Sequence, residues 1–232
     1  MWGEKIHMDS MKGMEQYKDT SRIKISKTYL FCKRLFDIVC GLIGFAVLLP
    51  LIIIVKICTL ASGDKESIFF TQSRIGQNGK EFKFYKFRSM VPNADEVLFE
   101  LLKKDKKMAE EYKLNKKLKK DPRITKVGAI LRKTSLDELP QVINILKGDM
   151  AVIGNRPYLP REKEDMGEYF DDIVSTKPGL TGLWQTAGTK KTTFAHRLLF
   201  ESWYSRNMTM WLDIKIFFAT FRAVLFGHGA GI

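Results

Sequence analysis

From Ile38 to Val55 the sequence carries no charged residue. A run of about 18 such residues is roughly 27 Å long as a straight helix, just enough to cross the hydrocarbon core of a bilayer. No other segment offers enough apolar surface to cover it, which argues against a buried helix of a soluble domain. Pro50 sits in its second half and removes a backbone donor where lipid supplies no substitute. Lys24, Lys27, Lys33 and Arg34 precede the run, and Lys56, Lys65 and Arg74 follow it. Cations at both ends favour placing both ends on the cytoplasmic side. The expectation is therefore a helix-break-helix hairpin over 29–61, broken near Pro50, that dips into one leaflet and returns. An ordinary span kinked at Pro50 is the alternative.

The formal net charge of +13 calls for an anionic partner: a nucleic acid, a phosphorylated metabolite or an anionic membrane surface. Nucleic acid is not expected, because no reading motif is present and the cations are interleaved with the membrane-dipping segment. Cys32, Cys40 and Cys58 show no metal-ligand spacing, and three thiols without a secretory signal read as reduced cysteines facing the cytoplasm. Residues 1–28 read as a polar tail lying on a surface or mobile in solution.

The remainder, 62–232, reads as an α/β domain, mostly helical with a small β-hairpin or sheet. Two β-like runs within Ser67–Phe87 are joined by Gly76–Lys80, where Asn78-Gly79 supplies the turn. Phe82 and Phe84 pack, with Tyr85 or Phe87, while Lys83, Lys86 and Arg88 alternate outward to solvent or to phosphate. Residues 93–120 read as charged helix whose lysines face solvent or lipid headgroups. Gly148–Pro160 reads as a short apolar strand followed by a rigid loop, in which Pro157 and Pro160 fix the chain around Arg156. The Gly-punctuated stretch 177–185 can bring backbone close to a ligand. Near the C-terminus, Trp211, Ile214, Phe217, Phe218, Phe221, Val224 and Leu225 follow 3-4 spacing, with Asp213, Lys215 and Arg222 on the other side. That stripe suits either a core helix or an amphipathic helix in the membrane interface.

Thr134–Gln141, reading Thr-Ser-Leu-Asp-Glu-Leu-Pro-Gln, carries the strongest chemistry. Asp137 and Glu138 are adjacent carboxylates among Arg123, Lys126, Arg132, Lys133, Lys147 and Arg156. One carboxylate can attack phosphorus or hold Mg²⁺, while cations neutralise phosphate oxygens. Ser135 and Glu138 also form a capping-box pattern. With Ser135 as cap, however, Pro140 would fall at the fifth helical position. With Asp137 as cap, it falls in the first turn, where no donor is needed. The spacing thus predicts that Asp137 begins a helix running to about Ile145.

Several ordered motifs from about Phe31 to the C-terminus resemble the bacterial sugar transferase family, polyprenol-phosphate phosphoglycosyl transferases with a single re-entrant membrane helix. They are Lys33-Arg34-Leu35-Phe36-Asp37, Gln72-x-Arg74-x-Gly76, Tyr85-Lys86-Phe87-Arg88-Ser89-Met90, Asp121-Pro122-Arg123-Ile124-Thr125, Ser135–Gln141, Arg156-Pro157 and Pro178–Gln185. The chain looks like a short member holding the catalytic unit alone. The resemblance implies transfer of a sugar-1-phosphate from a UDP-sugar to undecaprenyl phosphate, with release of UMP, at the cytoplasmic leaflet of the bacterial inner membrane. This is a first step in building an exopolysaccharide, capsule, O-antigen or glycoprotein glycan. Asp137 would be the nucleophile that forms a phosphosugar-aspartyl intermediate, and Glu138 the adjacent acid associated with Mg²⁺. Arg132 and Arg156 would lie near the phosphates, Lys86 and Arg88 near the active face, and Pro50 at the membrane break. A homodimer or other glycan-assembly proteins are the macromolecular partners to expect.

The chain departs from the family pattern at Asn155, where Pro commonly precedes Arg-Pro, which is expected to loosen the turn presenting Arg156. It departs again after Gly188, where Lys190 stands in for an arginine as a point charge for donor phosphate. The second departure motivates another reading, a non-catalytic membrane-surface scaffold of a glycan-assembly complex.

Overall fold

A computed structural model describes residues 25–115, 118, 121–187 and 193–226. Nearly all of the polar tail, as well as Lys190, lies outside the described residues. The fold is mostly helical, with two small sheets and one long apolar helix near the N-terminus.

That helix, α1, runs over Lys27–Ala61. Pro50 lies inside it, so helical structure continues where a separation into two helices was expected. The proline withdraws the one bond its N–H would have made, while the turns on either side keep theirs. Leu42, Ile43, Val47, Leu49, Ile53, Ile54 and Ile57 are exposed, and 17% of the apolar window is buried, unlike the core helix of a soluble protein.

The chain divides into two compact units, and α1 contributes to both. The first comprises Met1–Gly44, Gln72–Phe84 and Gln141–Ile232. It contains a parallel pair of strands, β3 (Ala151–Ile153) and β4 (Gly179–Thr181), with Ala151 opposite Gly179 and Ile153 opposite Thr181. Around this pair stand α5 (Val142–Lys147), α6 (Phe170–Val174), α7 (Leu183–Ala187), α8 (Phe194–Asn207) and α9 (Met210–Phe226). Ile145, Met150, Ile153, Tyr204 and Ile216 form the centre of its core. The glycines expected to bring backbone near a ligand instead bring backbone to backbone. A Cβ on Gly179 would lie 2.1 Å from the Gly154 nitrogen, and one on Gly182 would lie 2.1 Å from the Gly154 carbonyl oxygen.

Polar side chains at the start of α1 fasten it to this core. The Asp37 carboxylate accepts the buried Val152 N–H at 2.8 Å. Arg34 donates to the carbonyls of Ile145 and Leu146 at the end of α5, at 2.7 and 2.9 Å. Lys33 donates to the Ile153 carbonyl at 2.8 Å and meets Asp213 at 2.6 Å. Asp213 also accepts from Tyr29 at 2.7 Å and from Tyr204 at 2.6 Å. Asp213 was expected on the polar face with Lys215 and Arg222, yet it is 4% exposed, because three donors meet it inside. Conversely, Trp211, Ile214, Phe218 and Phe221 form an exposed apolar face on α9, while Ile216 is buried and Phe217 stacks edge-on against Phe36. The side chains of Val224 and Leu225 lie outside the described residues.

The second unit comprises Phe45–Thr71 and Tyr85–Pro140. It holds α2 (Ala94–Lys104), α3 (Lys106–Asn115) and α4 (Lys126–Lys133). α2 carries Asp95 and Glu96 in its first turn and Lys103 and Lys104 in its last, matching the helix dipole. The antiparallel hairpin of β1 (Phe69–Ile75) and β2 (Glu81–Phe87) has its tip in the first unit and its base in the second. Its turn is the expected one, with Asn78 and Gly79 at φ 58° and 74°.

Replacing Asp213 by Ala would strand the half-buried ammonium of Lys33, the buried phenol of Tyr204 and the half-buried phenol of Tyr29. We expect a loss of about 3–5 kcal/mol of stability, read as a lowered midpoint of thermal unfolding in detergent.

Candidate active site

In the second unit the Asp121-Pro122-Arg123-Ile124-Thr125 motif builds the platform for the acid pair. Arg123 is buried and forks onto its near neighbour Asp121, with Nε and Nη2 at 2.8 and 2.7 Å. Met90 bridges Ile124, and the Thr125 N–H donates to the Ser89 carbonyl at 3.1 Å. The Thr125 hydroxyl then caps α4 by accepting the Gly128 N–H at 2.9 Å. Gly128 meets Ser89 so closely that a Cβ would lie 2.0 Å from its carbonyl oxygen. From the last turn of α4, Arg132 Nε donates to the Ser89 hydroxyl at 2.8 Å. Ser89 was not singled out from sequence, although it sits in the Tyr85–Met90 motif between the two cations that were.

Asp137 does not begin an α-helix. Leu136–Gln141 form a 3-10 turn that contains both carboxylates and Pro140, and this leads directly into α5. Ser135, at φ 56°, turns the chain between α4 and that segment. The tighter i to i+3 pattern, here Glu138 N–H to the Ser135 carbonyl at 3.4 Å, admits the proline without either expected cap.

Asp137 is 8% exposed, and Glu138 beside it is ion-paired with Lys86 at 2.6 Å. Burial pushes the Asp137 carboxyl above the usual range. The charge of Glu138 pushes the same way, while Lys86 and Arg132 pull it down. The structure thus brings together Lys86, Arg132, Asp137 and Glu138. A group of this kind, a desolvated carboxylate balanced between cations, is what in-line attack on a phosphate requires.

Arg88 is placed otherwise. Its guanidinium binds both oxygens of Asp64 at 3.0 and 2.9 Å, the Ser67 carbonyl at 2.6 Å and the Met90 carbonyl at 3.2 Å. These bonds fix the chain after α1 to the end of β2 and hold the Asp64 carboxyl below its usual range. Arg88, expected to face solvent or phosphate, is engaged here by protein acceptors.

Arg156 belongs to the first unit. Its backbone N–H donates to Glu201 at 3.2 Å, and the next carbonyl, Pro157, accepts from Arg74 at 3.0 Å. Asn155 does not loosen the turn. It is 3% exposed, and its amide donates to the Ile173 carbonyl and the Thr176 and Ser205 hydroxyls, at 3.2, 3.3 and 2.6 Å.

No cluster of three metal-ligating side chains occurs among the described residues. Mg²⁺, however, is commonly held by one or two carboxylates together with substrate phosphates, and the adjacent Asp137 and Glu138 fit that pattern.

The sequence model of the family described as Bacterial sugar transferase matches residues 28–227. The chain belongs to that family. It is 46% identical over 200 residues to an undecaprenyl-phosphate galactose phosphotransferase of Salmonella typhimurium, covering 86% of this chain and 42% of that protein. It is 39% identical over 198 residues to the exopolysaccharide production protein ExoY of Rhizobium meliloti, covering 85% and 87%. It is 36% identical over 200 residues to the UDP-glucose:undecaprenyl-phosphate glucose-1-phosphate transferase of Escherichia coli K12, covering 81% and 39%. The chain therefore spans less than half of two of these relatives and most of the third.

In this chain, Gly128→Ala would force the α4 cap away from Ser89. The expected cost is about 1–3 kcal/mol, seen as a lower unfolding temperature, because backbone rather than a flexible side chain must yield.

Proposed function

We propose that this protein transfers a sugar-1-phosphate from a UDP-sugar to undecaprenyl phosphate, releasing UMP, through a phosphosugar intermediate on Asp137. The observation that carries this reading is the buried Asp137 carboxyl, set beside Glu138 within the influence of Lys86 and Arg132. Names of relatives that specify undecaprenyl phosphate and a galactose or glucose phosphate support the substrate classes.

In the first displacement a carboxylate oxygen of Asp137 attacks the β-phosphorus. The bond from that phosphorus to the bridging oxygen breaks, and UMP leaves with the electron pair. In the second, a phosphate oxygen of undecaprenyl phosphate attacks the same phosphorus and frees Asp137. Burial makes Asp137 a stronger nucleophile once ionised, and Lys86 and Arg132 keep ionisation within reach. Glu138 would hold Mg²⁺ together with diphosphate oxygens, the ion supplying neutralisation of diphosphate charge when bound. Arg156 is assigned to a donor phosphate on the strength of its Arg-Pro motif.

The lipid acceptor places the reaction at a membrane, and the exposed apolar surfaces of α1 and α9 suit that setting. We infer that in a membrane α1 bends at Pro50, where its ladder lacks one hydrogen bond, and follows a re-entrant path, with the catalytic residues at the cytoplasmic leaflet of the bacterial inner membrane. The cations flanking both ends of the helix support it.

With UDP-galactose or UDP-glucose, undecaprenyl phosphate and Mg²⁺, the purified protein should release UMP, and Asp137→Asn should lose at least about a thousandfold in rate while retaining membrane insertion. Equal UMP release by the variant would eliminate Asp137 as nucleophile. For topology, Thr20→Cys and Lys65→Cys variants of a chain lacking its native cysteines should both label from the cytoplasmic side. Labelling from opposite sides would replace the re-entrant path by a span.

A further inference from the structure

Glu201 stands on α8, 2% exposed, in a neighbourhood whose hydrogen bonding is incomplete. Its Oε1 accepts the Arg156 backbone N–H at 3.2 Å. Its Oε2 is buried as well. The hydroxyl of Tyr158, which is 1% exposed, faces this carboxyl and interacts with it, while the Nε atoms of Arg156 and Arg197 are buried without a hydrogen bond among the described residues. A carboxyl, a phenol and two guanidinium groups thus share one interior site, with the Nε donor of each guanidinium to spare. Natural proteins rarely leave such groups unsatisfied without a functional reason.

The other groups packed on α8 are accounted for. On α6, Asp172 is engaged by Ser202 at 2.8 Å and by Arg206 at 2.6 Å. α7 brings Trp184 and Gln185 but no charge. The acidic side chains of Glu164–Tyr169, namely Glu164, Asp165 and Glu168, are exposed. The charges that face Glu201 are therefore those of Arg156 and Arg197. Burial pushes the Glu201 carboxyl up to about 7, while the Tyr158 hydroxyl, the Arg156 N–H and both guanidinium charges pull it back. Glu201 in its neutral form still offers an oxygen to the Arg156 N–H, but leaves both guanidinium charges uncompensated. In its ionised form it cancels one of them.

We propose that Glu201 is a positioning residue acting through Arg156: it fixes the Arg156 backbone, and its charge sets how strongly that arginine holds the diphosphate of a sugar nucleotide. The proposal rests on the assignment of Arg156 to donor phosphate made above. An anion favours the neutral form of Glu201, so affinity falls as pH rises through the range in which Glu201 ionises.

The test is calorimetric binding of UDP-galactose to the full chain in lipid nanodiscs, with Mg²⁺ and without acceptor, between pH 6 and 8. The diphosphate of this probe does not itself titrate in that range. For the wild type, Kd should rise about tenfold across the range. Glu201→Gln, which keeps the acceptor oxygen and removes the charge, should hold Kd near the wild-type pH 6 value throughout. A flat wild-type profile overturns the proposal without recourse to any variant, and so does a folded Glu201→Gln protein that keeps the wild-type slope. Arg156→Ala separates the two levels. If it binds as tightly as the wild type, or if the wild type does not bind the probe, the assignment of Arg156 fails and the proposal with it. If it weakens binding while the wild-type profile is flat, only the role of Glu201 is lost.

Discussion

One buried carboxylate, Asp213, decides where the apolar helix begins. Lys33, Tyr29 and Tyr204 all donate to it, and the last of these sits on α8 rather than on α1. A charge taken out of water is stable only when it is paired and its remaining lone pairs are filled, and three donors do that here. Two further polar ties, from Asp37 to Val152 and from Arg34 to the end of α5, lie one turn apart on the same helix. Together they make the first turns of a lipid-seeking helix part of a protein core. The next turns, from Leu42 onward, bear exposed apolar side chains and are left for another solvent.

The acid pair depends on a different economy of charge. Asp137 is desolvated, which raises the free energy of its anion, and Lys86 and Arg132 return part of that cost. Neither cation is loose: Lys86 meets Glu138, and Arg132 is held by Ser89. Ser89 in turn is fixed through Thr125 and the missing side chain of Gly128. Residues of the signature motifs in this unit bond to one another. They stack into a frame that keeps two cations and two carboxylates in register, and Arg88 and Arg123 are spent on that frame through Asp64 and Asp121.

Much of this was legible in the chain before folding. Asn78-Gly79 announced the hairpin, because few residues adopt the left-handed backbone its turn demands. The composition of Ile38–Val55 announced a helix that cannot be buried by the rest of the protein. The acid pair stood out against a basic background. What failed was whatever hangs on one backbone angle or on a partner distant in sequence. Ser135 at φ 56° resets the register of the following turn, and no propensity rule places a serine there. Asp213 was assigned to the wrong face because its partner Lys33 is 180 residues away. Asn155 looked like a weakened turn, since its stability comes from α8 and the segment around Thr176, not from its neighbours in the chain.

The central claim is that Asp137 carries the sugar phosphate between a soluble donor and a lipid acceptor. It is tested most directly by exposing the membrane-embedded protein to UDP-sugar and Mg²⁺ without acceptor, then locating bound mass by peptide mass spectrometry. The account predicts a hexose-phosphate adduct confined to the peptide containing residues 134–141, which disappears when undecaprenyl phosphate is added. A preparation that releases UMP in the full reaction yet never shows an adduct there, or shows it on another peptide, would contradict the account.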